Sequence, residues 1–288
     1  MEPLIEHRSS YAGFDTRVLE LEGSGPAIVL LHGYADSADT WRHVLAQLAR
    51  HERRALAVDL PGFASAGELD DGPVLQQLDR FTAAVVEAAA QDGGASERVV
   101  LSGNSLGGAL ALRAAQNDAL PLAGVVPVAP AGLDMARWFV LIEREPILRT
   151  LLALPTPLPE RVVREAVGRA YRVLAFARPG KVAREVVDAF TSHHRDRPTV
   201  ARYVSTGRRL LPELADPFQL ERITCPVLVV WGEKDRMVSS SGARTITAAL
   251  PRTRIELIRD CGHCPQIEAC DRLVELLLEF PAELSRAA

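Results

Sequence analysis

The stretch that decides the fold is Val99-Val100-Leu101-Ser102-Gly103-Asn104-Ser105-Leu106-Gly107-Gly108. Its apolar start predicts a buried strand over Val99–Leu101, and a helical pattern follows over Ser105–Gln116. A serine between a strand and a helix, with glycine two positions away on each side, indicates a sharp turn that pushes the hydroxyl out of the sheet. The alternative interpretation is a glycine-rich turn in which Ser105 only caps the helix. Ser105 is therefore the first candidate nucleophile.

Strands and helices alternate on both sides of this turn. The other predicted strands are Arg17–Leu21, Ala27–Leu31, Ala55–Val58, Val125–Val128, Val227–Trp231 and Ile255–Ile258. The other predicted helices are Thr40–Arg50, Leu75–Ala90, Thr245–Leu250 and Leu273–Phe280. This alternation predicts βαβ units, and the fold class is therefore α/β with a mostly parallel central sheet flanked by helices.

Three further motifs follow predicted strands. They are Leu30-Leu31-His32-Gly33-Tyr34, then Trp231-Gly232-Glu233-Lys234-Asp235-Arg236-Met237-Val238, and finally Asp260-Cys261-Gly262-His263-Cys264-Pro265-Gln266-Ile267-Glu268. An imidazole that takes a proton from a serine needs a carboxylate to orient it. The second and third motifs carry a candidate for each of these groups.

With these motifs the chain resembles the α/β-hydrolase family, and the resemblance covers nearly the whole chain outside one helical insertion. It implies a catalytic triad of Ser105 as nucleophile, Asp235 as acid and His263 as base, in the chain order expected for this fold. It also implies that the backbone amide of Tyr34 is one oxyanion donor. The Leu106 amide, at the start of the predicted helix, is the other.

The acid has a rival. Asp134 lies just after the strand Val125–Val128, where some members of the family place their acid, whereas Asp235 matches the W-G-x-x-D-x-x-V spacing. Glu233 is a neighbouring carboxylate that we expect to face solvent. The sequence favours Asp235 and leaves Asp134 as the alternative.

The strand pattern stops between about residues 133 and 214, where the sequence is helical and broken by prolines. We expect residues 1–132 and 215–288 to form the α/β-hydrolase core and residues 133–214 to form an inserted helical cap, or lid, over the carboxyl edge of the sheet, where ligands bind in open α/β folds. Trp138, Phe139 and Ile142 are candidate substrate-binding residues in an apolar pocket. The alternative is that they form the cap's own core.

These features predict a serine hydrolase that cleaves a small to medium acyl ester through an acyl-enzyme. Three alternatives remain open. The first is a hydrolase of carbon–carbon bonds in products of aromatic-ring fission, since the elbow Gly-Asn-Ser-Leu-Gly-Gly is similar to that subfamily, although Cys264 stands where a tryptophan is usual. The others are a cofactor-free haloperoxidase or perhydrolase and a non-catalytic small-molecule receptor.

Composition limits the partners. The net charge of -4 and the lack of a basic stripe argue against a nucleic-acid partner. No apolar run is long enough to span a bilayer and no signal peptide is recognisable, so we expect a cytoplasmic monomer or homodimer. Three of the four cysteines, Cys261, Cys264 and Cys270, lie close together, but no second ligand pair completes a zinc site. We expect neither a metal nor another cofactor.

Overall fold

A sheet of eight strands forms the middle layer of the protein in the computed structural model, which describes residues 4–92, 98–134, 159–194 and 196–287. The strands are β1 Ile5–Tyr11, β2 Phe14–Leu21, β3 Ser24–Leu31, β4 Arg53–Val58, β5 Val99–Asn104, β6 Leu122–Val128, β7 Leu228–Gly232 and β8 Arg254–Ile258. Their order across the sheet is β1-β2-β4-β3-β5-β6-β7-β8. The β2 strand pairs antiparallel with β1 and β4, whereas every pair from β4 through β8 is parallel.

Helices cover both faces of this sheet. The described helices are α1 Arg42–Arg50, α2 Val74–Asp92, α3 Leu106–Ala114, α4 Glu160–Ala175, α5 Arg184–Thr191, α6 Arg197–Glu213, α7 Ala243–Ala249, α8 Pro265–Glu268 and α9 Cys270–Ala287. Short 3-10 turns precede or link several of them, including Ala38–Trp41 directly before α1.

The alternation of side chains along a strand explains the two layers. In β3, Val29 and Leu31 belong to one apolar cluster, while Ile28 and Leu30 belong to the other. The first cluster is completed by α2, α3 and α7, and the second by α1 and α9. A strand buried on both faces needs a nearly continuous apolar run, which is the pattern that β3, β5 and β7 show.

Because the strands from β3 to β8 run in one direction, the loops after them emerge at one edge of the sheet. The loop after β5 begins with Ser105. The loops after β3, β7 and β8 carry Tyr34, Asp235 and His263, in that order. The carboxyl edge of an open α/β sheet is where such folds bind ligands. The topology therefore gathers the four motifs of the sequence in one region.

Residues 159–194 and 196–214, called the helical segment below, lie between β6 and β7 and comprise α4, α5 and α6. No strand occurs between Val128 and Leu228 in the part of the chain that is described. Glu213 at the end of α6 accepts hydrogen bonds from the amides of Val74 and Leu75, both at 2.8 Å. A carboxylate is favoured there because the first amides of a helix have no partner within the helix.

The predicted α/β class with a mostly parallel sheet is confirmed, and each predicted strand lies within or overlaps an observed one. The β1 strand was not predicted from the sequence. Its residues are partly or fully exposed along its whole length, so its sequence IEHRSSY has no apolar period to detect. It forms because β2 offers it an edge to pair with.

Candidate active site

Ser105 occupies a strained turn between β5 and α3, with φ 54° and ψ -110°. A Cβ on Gly103 would lie 2.3 Å from the Gly107 carbonyl carbon, and one on Gly107 would lie 2.3 Å from the Leu31 carbonyl oxygen. Only glycine fits at either position, because the backbones approach too closely for a side chain. A serine held in a sparsely populated conformation points to a function for its hydroxyl.

The backbone around Ser105 anchors the turn to the neighbouring strand. The Ser105 amide donates to the Val128 carbonyl at 2.9 Å, and the Ser105 carbonyl accepts from Ala109 at 2.9 Å and Ala131 at 3.0 Å. These bonds keep the strained conformation in place. The side chain opens into a small cavity of about 20 Å³, room for roughly one water molecule.

Asp235 and His263 form a buried pair. His263 Nδ1 lies 2.7 Å from Asp235 Oδ2, and the two side chains are 4% and 0% exposed. The acceptor fixes the imidazole proton on Nδ1 and leaves the lone pair on Nε2. An imidazole in this tautomer can take a proton at Nε2.

The Asp235 carboxylate has further donors that hold it in place. Oδ1 accepts from the amides of Met237 at 2.8 Å and Val238 at 3.0 Å, and Oδ2 accepts from Trp231 Nε1 at 3.2 Å. The ring nitrogen of Trp231 also reaches the Val238 carbonyl at 3.1 Å. These bonds compensate a buried carboxylate for its lost water and fix its direction toward His263.

The other ring nitrogen of the histidine has no partner. His263 Nε2 is buried, and no hydrogen bond reaches it from the residues that the structure describes. Leaving a buried polar atom unpaired costs free energy, so such an atom in a native fold calls for an explanation. The lone pair on this nitrogen could accept a proton from a hydroxyl group placed against it.

A buried polar chain ties the histidine loop to the serine turn. Asn104, next to Ser105, donates from Nδ2 to the His263 carbonyl at 2.9 Å. Gln266, fully buried, donates from Nε2 to Asn104 Oδ1 and to Thr40 Oγ1, both at 3.2 Å. The backbone of His263 is therefore fixed relative to the turn that carries Ser105.

Tyr34 and Leu106 line the same cavity as Ser105. Leu106 is the first residue of α3, where the amides lack an acceptor within the helix. The loop after β3 runs beside the serine, since a Cβ on Gly33 would lie 3.4 Å from Ser105 Cβ. The Tyr34 hydroxyl donates to the Tyr203 carbonyl in α6, and burial raises the pKa of this phenol well above its ordinary value.

The other carboxylates considered from sequence lie elsewhere. Asp134 is exposed, and its side chain accepts a hydrogen bond from Ser241 Oγ instead of contacting His263. Glu233 is exposed, as expected. The candidate pocket residues Trp138, Phe139 and Ile142 lie outside the described residues.

The sequence did not predict the wall that faces Ser105 from the helical segment. Gly207, Leu210, Leu211 and Leu214, from α6 and its end, line the cavity together with Ala131, Met237 and Val238. The first four follow the helical spacing of one face, a signal that was present in the sequence. What the spacing does not reveal is which surface that face covers.

Two wider properties concern metals and membranes. Within the described ranges, no group of three or more His, Cys, Asp or Glu side chains is arranged to hold a metal ion. Among the helices described, none combines the length and the apolar character that crossing a bilayer requires.

Comparisons with known proteins agree with this fold. The sequence model of the Alpha/beta hydrolase family matches residues 28–276. A 2-hydroxy-6-oxo-6-(2'-aminophenyl)hexa-2,4-dienoic acid hydrolase from Metapseudomonas resinovorans is 27% identical, over 99% of this chain and 94% of that protein. A pimeloyl-(acyl-carrier protein) methyl ester esterase from Nitrosomonas europaea is 26% identical, over 89% of this chain and 96% of that protein. The crystal structure of a bacterial membrane phospholipase A superposes with a TM-score of 0.78 at 21% identity, covering 98% of this chain and 87% of that one.

Proposed function

Because this chain belongs to the alpha/beta hydrolase family, we propose that it is a serine hydrolase that cleaves a small to medium acyl ester through an acyl-enzyme. The observation that carries the proposal is the buried pair of Asp235 and His263, which leaves the Nε2 atom of the histidine unpartnered among the described residues. The strained turn at Ser105 adds a serine that lines a cavity at the same edge of the sheet.

The reaction follows from these groups. Ser105 Oγ attacks the acyl carbon while His263 Nε2 takes the hydroxyl proton, and the amides of Tyr34 and Leu106 stabilise the oxyanion. His263 then protonates the departing alcohol, and the ester C–O bond breaks. Water activated by His263 attacks the acyl-enzyme and releases the acid, which restores Ser105. Asp235 stabilises the imidazolium that forms in both halves.

We propose that the helical segment is part of a cap that residues 133–214 form over the carboxyl edge of the sheet. Its contribution to the cavity is apolar, through Leu210, Leu211 and Leu214. An apolar wall favours an uncharged acyl chain. The esterase from Nitrosomonas europaea, which acts on a methyl ester, is consistent with this substrate class.

Hydrolysis of a carbon–carbon bond in a ring-fission dienoate is the second candidate. It is favoured by the similarity, along nearly the whole chain, to the dienoic acid hydrolase of Metapseudomonas resinovorans. Such a substrate carries a carboxylate that needs a cationic partner. Among the described residues that line the cavity none is basic, and for this reason the ester remains the preferred substrate.

The test is hydrolysis of p-nitrophenyl esters of graded acyl length by the wild type and by Ser105→Ala. We expect the wild type to turn over short and medium chains and the variant to lose that activity. A fluorophosphonate probe should add its mass to the wild type and not to Ser105→Ala. Equal rates for both proteins would overturn the proposal.

Substrate panels separate the alternatives. Loss of dienoate absorbance without ester turnover would favour the carbon–carbon hydrolase, and peracid formation from acetate and peroxide would favour the perhydrolase. Thermal stabilisation by a ligand without turnover would favour a receptor.

A further inference from the structure

Glu268 lies between the loop that carries His263 and the helical segment, and its carboxylate bonds to both. Oε1 accepts from the Gly262 amide at 2.7 Å, and Oε2 accepts from the Ala177 amide at 2.9 Å. Gly262 directly precedes His263, and Ala177 follows the end of α4 by two residues. One side chain therefore joins two regions that are far apart in sequence, and the mechanism above gives it no role.

The main chains of the two regions also meet beside this carboxylate. The His263 amide donates to the Ala175 carbonyl at 2.7 Å. A Cβ on Gly262 would lie 2.6 Å from the same carbonyl oxygen, so close backbone approach requires glycine there. His263 is thus held at its amide by the helical segment and at its carbonyl by Asn104.

Apolar packing lies next to these bonds in the sequence on both sides, at Phe176 and at Cys264, while Glu268 itself is half-buried. Phe176 is only 1% exposed and packs with Ala175 and Cys264. Its ring meets the Tyr171 ring edge-on at 5.0 Å. Burial raises the pKa of Glu268 above its ordinary value, while the amide donors act in the opposite direction. Hydrogen bonds to a carboxylate that is shielded from water are stronger than exposed ones.

We propose that Glu268 is a positioning residue that couples the docking of the helical segment to the competence of the histidine. The direction of the imidazole follows from the backbone at residues 262 and 263, which Glu268 and Ala175 fix. A displacement of about 1 Å in a catalytic group can cost roughly a hundredfold in rate. The inference rests on the proposed role of His263 as the general base.

The chain offers a matched control. Glu213 uses the same arrangement, one carboxylate on two amides, to join the helical segment to the start of α2. Both residues link the core to the segment, but only Glu268 touches the histidine loop. Loss of a Glu213 bond should destabilise only the contact between α6 and α2, whereas loss of a Glu268 bond should release the segment at Ala177 and act on the base.

The experiment compares Glu268→Gln, Glu268→Asp and Glu213→Gln with the wild type. In Glu268→Gln the amide group presents N–H where a carboxylate oxygen accepted, so one of the two bonds is lost. We expect kcat for a p-nitrophenyl ester to fall about tenfold with KM within about twofold. Glu268→Asp, shorter by one methylene, should likewise lower kcat and leave KM nearly unchanged. Glu213→Gln should lower the melting temperature and leave kcat unchanged.

Hydrogen exchange gives a readout that does not depend on activity. Peptides spanning residues 259–269 and 174–179 should lose protection together in Glu268→Gln and keep it in Glu213→Gln. Failure of the wild type to hydrolyse any ester would overturn the proposed function. Hydrogen exchange would still show whether Glu268 links the His263 loop to the helical segment. Wild-type kcat in a folded Glu268→Gln, or an equal fall of kcat in Glu213→Gln, would overturn the positioning role.

Discussion

The core and the helical segment, which meet at the cavity beside Ser105, differ in the kind of contacts they make. The core holds its candidate catalytic groups by directional polar contacts, such as those of the Asp235 carboxylate with its donors His263, Trp231 and two backbone amides. The helical segment faces it with Gly207 and three leucines. A polar group works only in one geometry, whereas an apolar wall tolerates changes of shape. Substitutions on the core side should therefore act on kcat, and those on the segment side should act on substrate choice.

The largest effect is expected at the proposed nucleophile. Ser105→Ala keeps the Cβ and the backbone conformation but removes the attacking oxygen, so kcat should fall by about 10⁴-fold or more. Steady-state kinetics with a p-nitrophenyl ester measure this, and circular dichroism checks the fold. Retention of wild-type kcat would remove the distinction between the two sides, since the core would then supply no chemistry.

The next effect concerns the acid. Asp235→Asn presents an amide to His263 Nδ1 and stabilises the wrong tautomer, so kcat should fall by about 10³- to 10⁴-fold. Asp134→Asn is the control, because Asp134 is exposed and bonds to Ser241. If Asp134→Asn instead lost activity while Asp235→Asn kept it, the assignment of the acid would be reversed.

A third prediction concerns Asp36, a core residue at the boundary with the helical segment. It lines a cavity of about 200 Å³ with Tyr171 and Phe190, and it is 6% exposed. Burial raises its pKa from 3.8 to about 7, against the opposing effects of the Ser37 amide, the Thr40 hydroxyl and His193. The folded state therefore disfavours the ionised form.

This shift of the pKa sets the direction in which the free energy of unfolding changes with pH. The stability that a protonated Asp36 contributes is present below about pH 4 and is lost as pH rises through about 7. Asp36→Asn cannot ionise, so it should come close to the wild type at pH 3.5 and exceed its free energy of unfolding by about 4 kcal/mol at pH 8. Urea unfolding of both proteins at the two pH values measures the difference. A constant difference across this range would mean that Asp36 does not titrate there.

Much of the fold could be predicted from sequence because strong local patterns mark it. The apolar runs Val99–Leu101 and Val227–Trp231 predicted buried strands, and the structure has them within β5 and overlapping β7. Polar motifs directly after such runs predicted which loops carry the candidate site. The exposed strand β1 lacked such a pattern and was missed.

The apolar wall could not be predicted because docking of a helix is a long-range property. The spacing of Gly207, Leu210, Leu211 and Leu214 identifies one apolar face of α6 but not its partner. Only the contacts of α6 with Tyr34 and with the cavity at Ser105 reveal that partner. The triad itself stays a prediction, to which the structure adds the contact between Asp235 and His263.

The smallest expected effect tests the segment side of the comparison. Leu211 lines the cavity and is only partly buried, so Leu211→Ala should enlarge the site while the fold persists. The ratio of kcat/KM for a medium-chain over an acetyl ester should rise by about tenfold, the usual worth of one or two methylenes in an apolar pocket. Gly207→Ala provides the opposite change, since a Cβ there would lie 2.7 Å from Tyr34 Oη and crowd the cavity. The Gly207→Ala variant should therefore shift its substrate preference toward the acetyl ester. If both variants kept the wild-type chain-length profile and lost kcat instead, the segment would contribute to chemistry and not to selectivity, and the contrast between the two sides would fail.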